Sequence, residues 1–154
     1  MSLQNGNLLA DAKNVEILKA LERDPRIPIS ELARAIGMSA PAVRERIARL
    51  EEAGIIAGYR LVLNPSAMGY STTAFVRVRP TPGQLSKIAE LAEKMPEVTE
   101  CHRVTGDDCF IIKIHIASIG EDLDRILDQF LVYGQTTTSI VQSTPVQLRS
   151  LPLP

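Results

Sequence analysis

ISELARAIGMSAPAVRERIARLEEAG, from Ile29 to Gly54, is the stretch whose reading decides the fold. It holds two helical patterns separated only by Gly37 and Met38. In the first, Ser30 is a candidate N-cap with Glu31 in the first turn. Leu32 and Ile36 share a face at i, i+4, and Gly37 suits the left-handed position after a helix. In the second, Ser39 is the cap, Val43, Ile47 and Leu50 form the apolar stripe, and Gly54 is the stop. Rotating about 100° per residue gathers Ala42, Glu45, Arg46 and Arg49 on the opposite face, with Arg44 at its border. Two helices joined by a short glycine-containing turn, the second turning arginines outward, have the layout of a helix-turn-helix. The arginine fork pairs with guanine edges or phosphates, and a small Ala42 allows close approach to a thymine methyl. The competing reading is an ordinary surface helix, in which Glu45 and Arg49 form an i, i+4 pair worth about 0.2–0.5 kcal/mol. Local charge favours DNA modestly: Arg34, Arg44, Arg46, Arg49 and Arg60 stand against Glu45, Glu51 and Glu52.

Upstream, ADAKNVEILKALERD places Val15, Leu18 and Leu21, with Ile17 beside them, on one helical face. Asp24-Pro25 ends it, because proline disfavours helix in the residue before it. Residues 1–10 are expected to be a flexible arm and residues 11–58 a three-helix DNA-binding domain. Downstream, residues 55–63 read as extended, and Asn64-Pro65 marks a turn. The expected domain boundary falls within 60–70, with a strand and hinge linker over 59–70.

The remaining residues, 71–154, read as βαββαβ. TTAFVRVRP alternates with period two. Thr81-Pro82 is expected to open a helix burying Leu85, Ile88, Ala89, Ala92 and Met95, stopped by Pro96. Strands are expected over 97–105 and 109–116, with Phe110, Ile112, Ile114 and Ile116 inward. Ser118-x-x-Glu121 reads as a capping box before a helix burying Leu123, Ile126, Leu127, Phe130 and Leu131. A last strand is expected from about Thr136 to Leu148. This order is the ferredoxin-like arrangement, with both helices on one face of a four-stranded antiparallel sheet. The class is therefore α+β. The other face is expected to carry Phe75, Ile111 and Val141 among Arg77, Arg103, Lys113 and His115, which suits self-association into a two-fold dimer.

Composition excludes several classes. The chain has 154 residues, 45% hydrophobic and 23% charged, with net charge −1. No global basic surplus draws it to nucleic acid, so any attraction must be local. Cys101 and Cys109 make no disulfide framework. No apolar run approaches the ~20 residues of a membrane span, and no signal peptide is visible. The expected compartment is the cytoplasm, with no membrane partner. VTGDDCF, Val104 to Phe110, invites a catalytic or metal reading with His102 and His115. In a hairpin turning at 106–108, however, the histidines are offset by about 10 Å along the strands, too far to share an ion. Cys109 and His115 lie about 20 Å apart on one strand. No catalytic residue, metal site or cofactor is expected. Gly106, Asp107 and Asp108 read instead as turn residues.

Over residues 11–153 the chain resembles the Lrp/AsnC, or feast/famine, family of transcriptional regulators. The specific parts are ISELARAIGMSAPAVRERIARLEEAGIIAGYRLVLNPSAMG, VTGDDCFIIKI and TTTSIVQSTPVQLRSLPL. The resemblance implies a sequence-specific regulator of double-stranded DNA, dimerising through its βαββαβ (RAM) domain and assembling further, often into octamers. It implies an amino acid or related metabolite as effector, bound between dimers near the Gly-Asp turn. Ser39, Ala42, Arg44, Glu45, Arg46 and Arg49 take the recognition-helix positions. Thr105, Gly106, Asp107 and Asp108 take effector-turn positions, with Thr136 and Thr138 of the closing strand. Many members read Gly-Asp-aromatic-Asp-aromatic at the turn, whereas here Asp108 and Cys109 replace the first aromatic and second acid. A regulator of the same fold without small-molecule response is the alternative.

Overall fold

The computed structural model describes residues 8–154. It falls into two compact units, one ending at Val62 and also taking in Gln147–Pro154, the other spanning Leu63–Val146.

The helical unit contains α1 (Ala12–Arg23), α2 (Ile29–Ala35) and α3 (Ala40–Glu52). Ile17, Leu18, Leu21, Leu32, Ala33, Ile36, Val43 and Leu50 form its core. The buried face of α1 is Asn14-Ile17-Leu18-Leu21. Val15, expected in that stripe, is only partly buried. Asn14 takes the inward position because both ends of its amide find partners, described below. Helix α2 begins at Ile29 behind Pro28, with no side-chain cap, so Ser30 lies inside the helix. Proline's fixed φ delivers the chain into the first turn there. Ser39 does cap α3, accepting from the Ala42 amide at 3.4 Å. Of the expected arm, residues 1–7 lie outside the described residues. Residues 8–10 are helical, and Leu8 and Leu9 pack on the core. Leu153 also packs there, which is why the tail groups with this unit and not with the strands before it.

Residues 57–64 form no strand. A strand needs a ladder partner, and the described residues supply none, so Leu61 and Val62 are left 80% and 82% exposed. A 3₁₀ turn, Ser66–Met68, follows Pro65.

The second unit runs β1 (Thr72–Pro80), α4 (Leu85–Lys94), β2 (Val98–Arg103), β3 (Phe110–Ile116), α5 (Glu121–Leu131) and β4 (Gly134–Ile140). The strands order as β2-β3-β1-β4, all antiparallel, which is the ferredoxin-like βαββαβ topology. Alternation divides the sheet. Ala74, Val76 and Val78 on β1 and Phe110, Ile112, Ile114 and Ile116 on β3 face Ile88, Ala92, Leu123, Ile126 and Phe130 of the helices. Thr73, Phe75, Arg77 and Arg79, with Ile111, Lys113 and His115, take the opposite face, which no helix of this unit covers among the described residues.

Several boundaries differ from expectation. Residues 81–84 form a turn, closed by the Gln84 amide on the Thr81 carbonyl at 3.1 Å, so α4 starts later. Ser118 Oγ accepts from the Glu121 amide at 3.3 Å, but the other half of the box is replaced. Asp122 Oδ2 instead accepts from the Ala117 and Ser118 amides at 3.1 and 2.9 Å. Leu131, expected to be buried, is 52% exposed at the end of α5. Strand β4 stops at Ile140, opposite Ala74, where β1 has almost no residues left to pair. Arg103 pairs with Phe110, which puts it in a helix-facing row and off the open face. Among the described residues no helix is long and apolar enough to cross a membrane.

Gly134 sits where β4 crosses the end of β1, and an added Cβ would collide with the Arg79 carbonyl. Backbone on a paired strand cannot yield as a flexible side chain does. Gly134→Ala is therefore expected to destabilise this unit by about 1–3 kcal/mol. Gly120→Ala, with open space around it, is expected to change little. Urea denaturation followed by circular dichroism makes the comparison, and equal midpoints for the two variants would refute it.

Candidate nucleic-acid interface and effector turn

The two sets of site residues lie in different units. On α3, Ser39, Arg44, Glu45 and Arg49 are exposed, while Ala42 and Arg46 are half-buried. Arg49 Nη2 lies 2.5 Å from Glu45 Oε1, both side chains being 63% exposed. Among the described residues Arg44 forms no ion pair. The helix thus presents Ala42, Glu45 and Arg49 on consecutive turns, as the periodicity requires.

Arg46 departs from that picture. Its Nη1 donates to Asp11 Oδ2 at 2.6 Å and to Asn14 Oδ1 at 2.7 Å. Only 30% of the side chain is exposed. Asn14, 2% exposed, uses its amide nitrogen to reach the Leu8 carbonyl at 2.9 Å. Asp11 also caps α1, its Oδ1 accepting from the Lys13 and Asn14 amides at 2.8 and 3.4 Å. Lys13 Nζ then donates to the Ile36 carbonyl at 2.7 Å, at the C-terminal end of α2. One turn of α1 therefore holds both helices of the helix-turn-helix. Sequence reasoning placed Arg46 outward by angle alone. The missed signal was a polar Asn14 at an inward position of α1, together with Asp11, three residues before it.

In the second unit, residues 104–109 turn between β2 and β3. The Val104 amide donates to the Cys109 carbonyl at 2.8 Å, and Cys109 Sγ lies 3.4 Å from the Gly106 carbonyl. Gly106 has φ 109°, a conformation that a side chain would strain. Thr105, Gly106 and Asp107 are exposed and Asp108 is half-buried. Both carboxylates meet arginines of β1: Asp107 Oδ2 lies 3.3 Å from Arg79 Nη2. Asp108 lies 3.6 Å from Arg79 Nε and 3.9 Å from Arg77 Nε. Thr136 and Thr138 do not join this group. They pair with Val78 and Val76, so they belong to the helix-facing rows. Thr138 Oγ1 is buried there with no hydrogen-bond partner among the described residues. The residues of β4 that stand opposite the arginines are Gln135, at Arg79, and Thr137, at Arg77.

The histidines stay apart. His102 pairs with Ile111, four positions along β3 from His115, about 13 Å at the rise of a strand. His115 Nδ1 contacts Thr73 Oγ1 at 2.9 Å. Burial, and then the Lys113 ammonium, push its pKa below the usual histidine value. Among the described residues no three metal-binding side chains come together.

Residues 11–57 match a winged helix-turn-helix DNA-binding family, and residues 73–151 match the Lrp/AsnC ligand binding domain. The chain is 33% identical to the HTH-type transcriptional regulator FL11 of Pyrococcus horikoshii over 147 residues, covering 93% of this chain and 96% of that one. Among solved structures it is similar to Bacillus subtilis LrpC, at TM-score 0.82 and 27% identity, covering 90% of this chain and 98% of that one. It is also similar to a Neisseria meningitidis transcriptional regulator in complex with L-Met, at TM-score 0.83 and 26% identity, covering 93% and 96%.

The ionised form of Asp11 is the one that Arg46 binds, and this guanidinium holds its pKa below the usual carboxylate value. A carboxylate lowered on folding adds stability above its unfolded pKa, near 3.8, and loses it as pH falls through the lower folded value. Asp11→Asn is therefore expected to lower the urea midpoint of the helical unit at neutral pH. The difference from wild type should shrink on acidification below about pH 4. An unchanged difference at pH 3 and pH 7 would contradict the linkage.

Proposed function

Since the chain belongs to the Lrp/AsnC family of transcriptional regulators, we propose that it is a sequence-specific DNA-binding regulator whose oligomeric state or DNA affinity responds to an amino acid or related metabolite. The carrying observation is α3, an exposed helix behind the four-residue turn 36–39, with Ala42, Glu45 and Arg49 on one outward face and Arg44, without an ion pair among the described residues, beside them. Helices of that construction enter a major groove from their N-terminal half. The relatives it matches are named transcriptional regulators, which supports action by binding and not as an enzyme. It works where the chromosome is, in the cytoplasm.

The second unit would bind the effector and make the oligomer. Its uncovered face, with Phe75 37% exposed beside Ile111, suits a two-fold partner of the same chain. Family resemblance extends this to octamers. Light scattering that returned only a monomer would remove this part of the reading. Thr105, Gly106, Asp107 and Asp108 are the candidate effector residues. One carboxylate there would take the ammonium of an amino acid, and turn amides its carboxylate. The alternative, a regulator without small-molecule response, draws support from the same turn, because Arg77 and Arg79 already meet both carboxylates.

Two measurements test these readings. A random duplex library enriched on the wild-type chain is expected to yield a preferred sequence. Against it, Arg49→Ala should cost about 1–3 kcal/mol and relax preference at one base pair. Arg44→Ala should weaken all sequences alike and lower the salt slope by about one. Wild-type affinity in both variants would sink the assignment. Calorimetry with the twenty amino acids, L-methionine first, is expected to give heat with at least one, lost in Asp107→Ala. No heat with any would leave the alternative.

A further inference from the structure

Arg46 carries the unexpected geometry. It lies on the helix proposed to read DNA, at a position that angle alone turns outward. Yet both protons of its Nη1 are taken by Asp11 and Asn14, at 2.6 and 2.7 Å. Asn14 is itself fixed, its other end on the Leu8 carbonyl. Asp11 is fixed too, by the amides at the start of α1. The guanidinium thus plugs into two acceptors that neither rotate nor withdraw. A phosphate contact would have to compete with a carboxylate already at charge-assisted distance.

We propose that Arg46 is a positioning residue and not a DNA contact: held by Asp11 and Asn14, it sets where α3 lies against α1 and leaves base reading to Ala42, Glu45 and Arg49. This rests on the reading of α3 as the recognition helix. The apolar stripe of α3 supplies adhesion but little direction, since Val43, Ile47 and Leu50 can slide or roll against their neighbours. Two bonds from one nitrogen to two fixed acceptors on α1 cannot both survive a roll of α3. Small displacements of a reading helix matter, because base hydrogen bonds tolerate only tenths of an ångström.

The two roles predict opposite signs. Asp11→Asn keeps an N-cap, because asparagine caps as well as aspartate. It also removes a negative charge beside the DNA-binding helix. If Arg46 were a phosphate contact restrained by Asp11, this change would free it. Binding would tighten and the salt slope would rise. If Arg46 positions the helix, Asp11→Asn and Arg46→Ala should each weaken the selected duplex by about tenfold or more. Their binding to a duplex of unrelated sequence should hardly change, and neither should shift the salt slope by the ~0.9 that one phosphate contact contributes. The double variant should be no worse than the poorer single one, because both break one device. Arg46→Lys keeps the charge, but its ammonium sits one bond short of the Nη1 position between the two acceptors, and it should not rescue.

The experiment is a fluorescence titration of the full chain with the selected duplex and an unrelated one, from about 50 to 200 mM salt. Hydrogen exchange on α3 is measured beside it without DNA. Faster exchange at residues 43–50 in both single variants is expected. Tighter binding in Asp11→Asn, rescue by Arg46→Lys, a slope lowered by about one in Arg46→Ala, or unaltered exchange would each overturn the proposal. If the wild-type chain selects no duplex, the DNA reading fails, whereas the exchange result still decides whether Arg46 positions α3. Should Arg46→Ala not fold, Asp11→Asn and Arg46→Lys carry the test.

Discussion

The first turn of α1 is the joint on which the helical unit depends. Helix α2 has seven residues and α3 has thirteen. Segments of that length are marginal alone in water, because nucleating a helix fixes several residues for one hydrogen bond. The apolar cluster supplies the adhesion, but adhesion between greasy faces specifies distance better than angle. Direction comes from three neighbouring side chains. Lys13 reaches the Ile36 carbonyl at the end of α2, where a cation also suits the helix dipole. Asp11 and Asn14 hold Arg46 of α3. The polar bonds of α1 thus reach both helices from one turn, and the turn between those helices needs to do little beyond reversing the chain.

In the other unit the corresponding constraint is alternation along β1. It pairs with β3 on one side and β4 on the other, so its register assigns every side chain of three strands to a face. Ala74, Val76 and Val78 commit one face to the helices. Thr73, Phe75, Arg77 and Arg79 are then committed to the other. Everything proposed for the effector turn follows from this. Asp107 and Asp108 meet arginines because the turn closes over that end of β1. Thr136 and Thr138 stand opposite valines and share the helix-facing rows, whereas Gln135 and Thr137 stand opposite the arginines.

Periodic features were legible in the sequence and pairings were not. The stripes Val43-Ile47-Leu50 and Phe110-Ile112-Ile114-Ile116 declare themselves by spacing, because burying one face of an element imposes a single period on it. The βαββαβ order follows from such stripes taken in turn. Pairings depend on residues far apart in the chain. Nothing in the run RERIARL says that Arg46 will find a carboxylate on another helix. Nothing in RVRP says that its arginines will lie beside the turn thirty residues later. Strand ends failed for a related reason: β4 stops where β1 runs out, a limit set by the partner and not by the β-branched run. Residues 57–64 failed likewise, having strand composition without a strand to join.

These pairings also differ in how readily a ligand could displace them. Arg49 and Glu45 are each 63% exposed, and Asp107 is 83% exposed beside Arg79 at 51%. Pairs so open to water are worth about 0.2–1 kcal/mol. Replacing one partner by a phosphate, a base edge, an ammonium or a carboxylate trades like for like. Arg46 and Asp11 are less exposed, at 30% and 36%, and a second acceptor shares the guanidinium. Opening that group would strand a buried Asn14, and a buried amide without partners costs about 1–3 kcal/mol. The exchangeable ion pairs thus lie at the proposed contact residues of α3 and the 104–109 turn, and a committed one joins α3 to α1. Charge alone does not separate the two kinds. What separates them is the polar residue buried underneath.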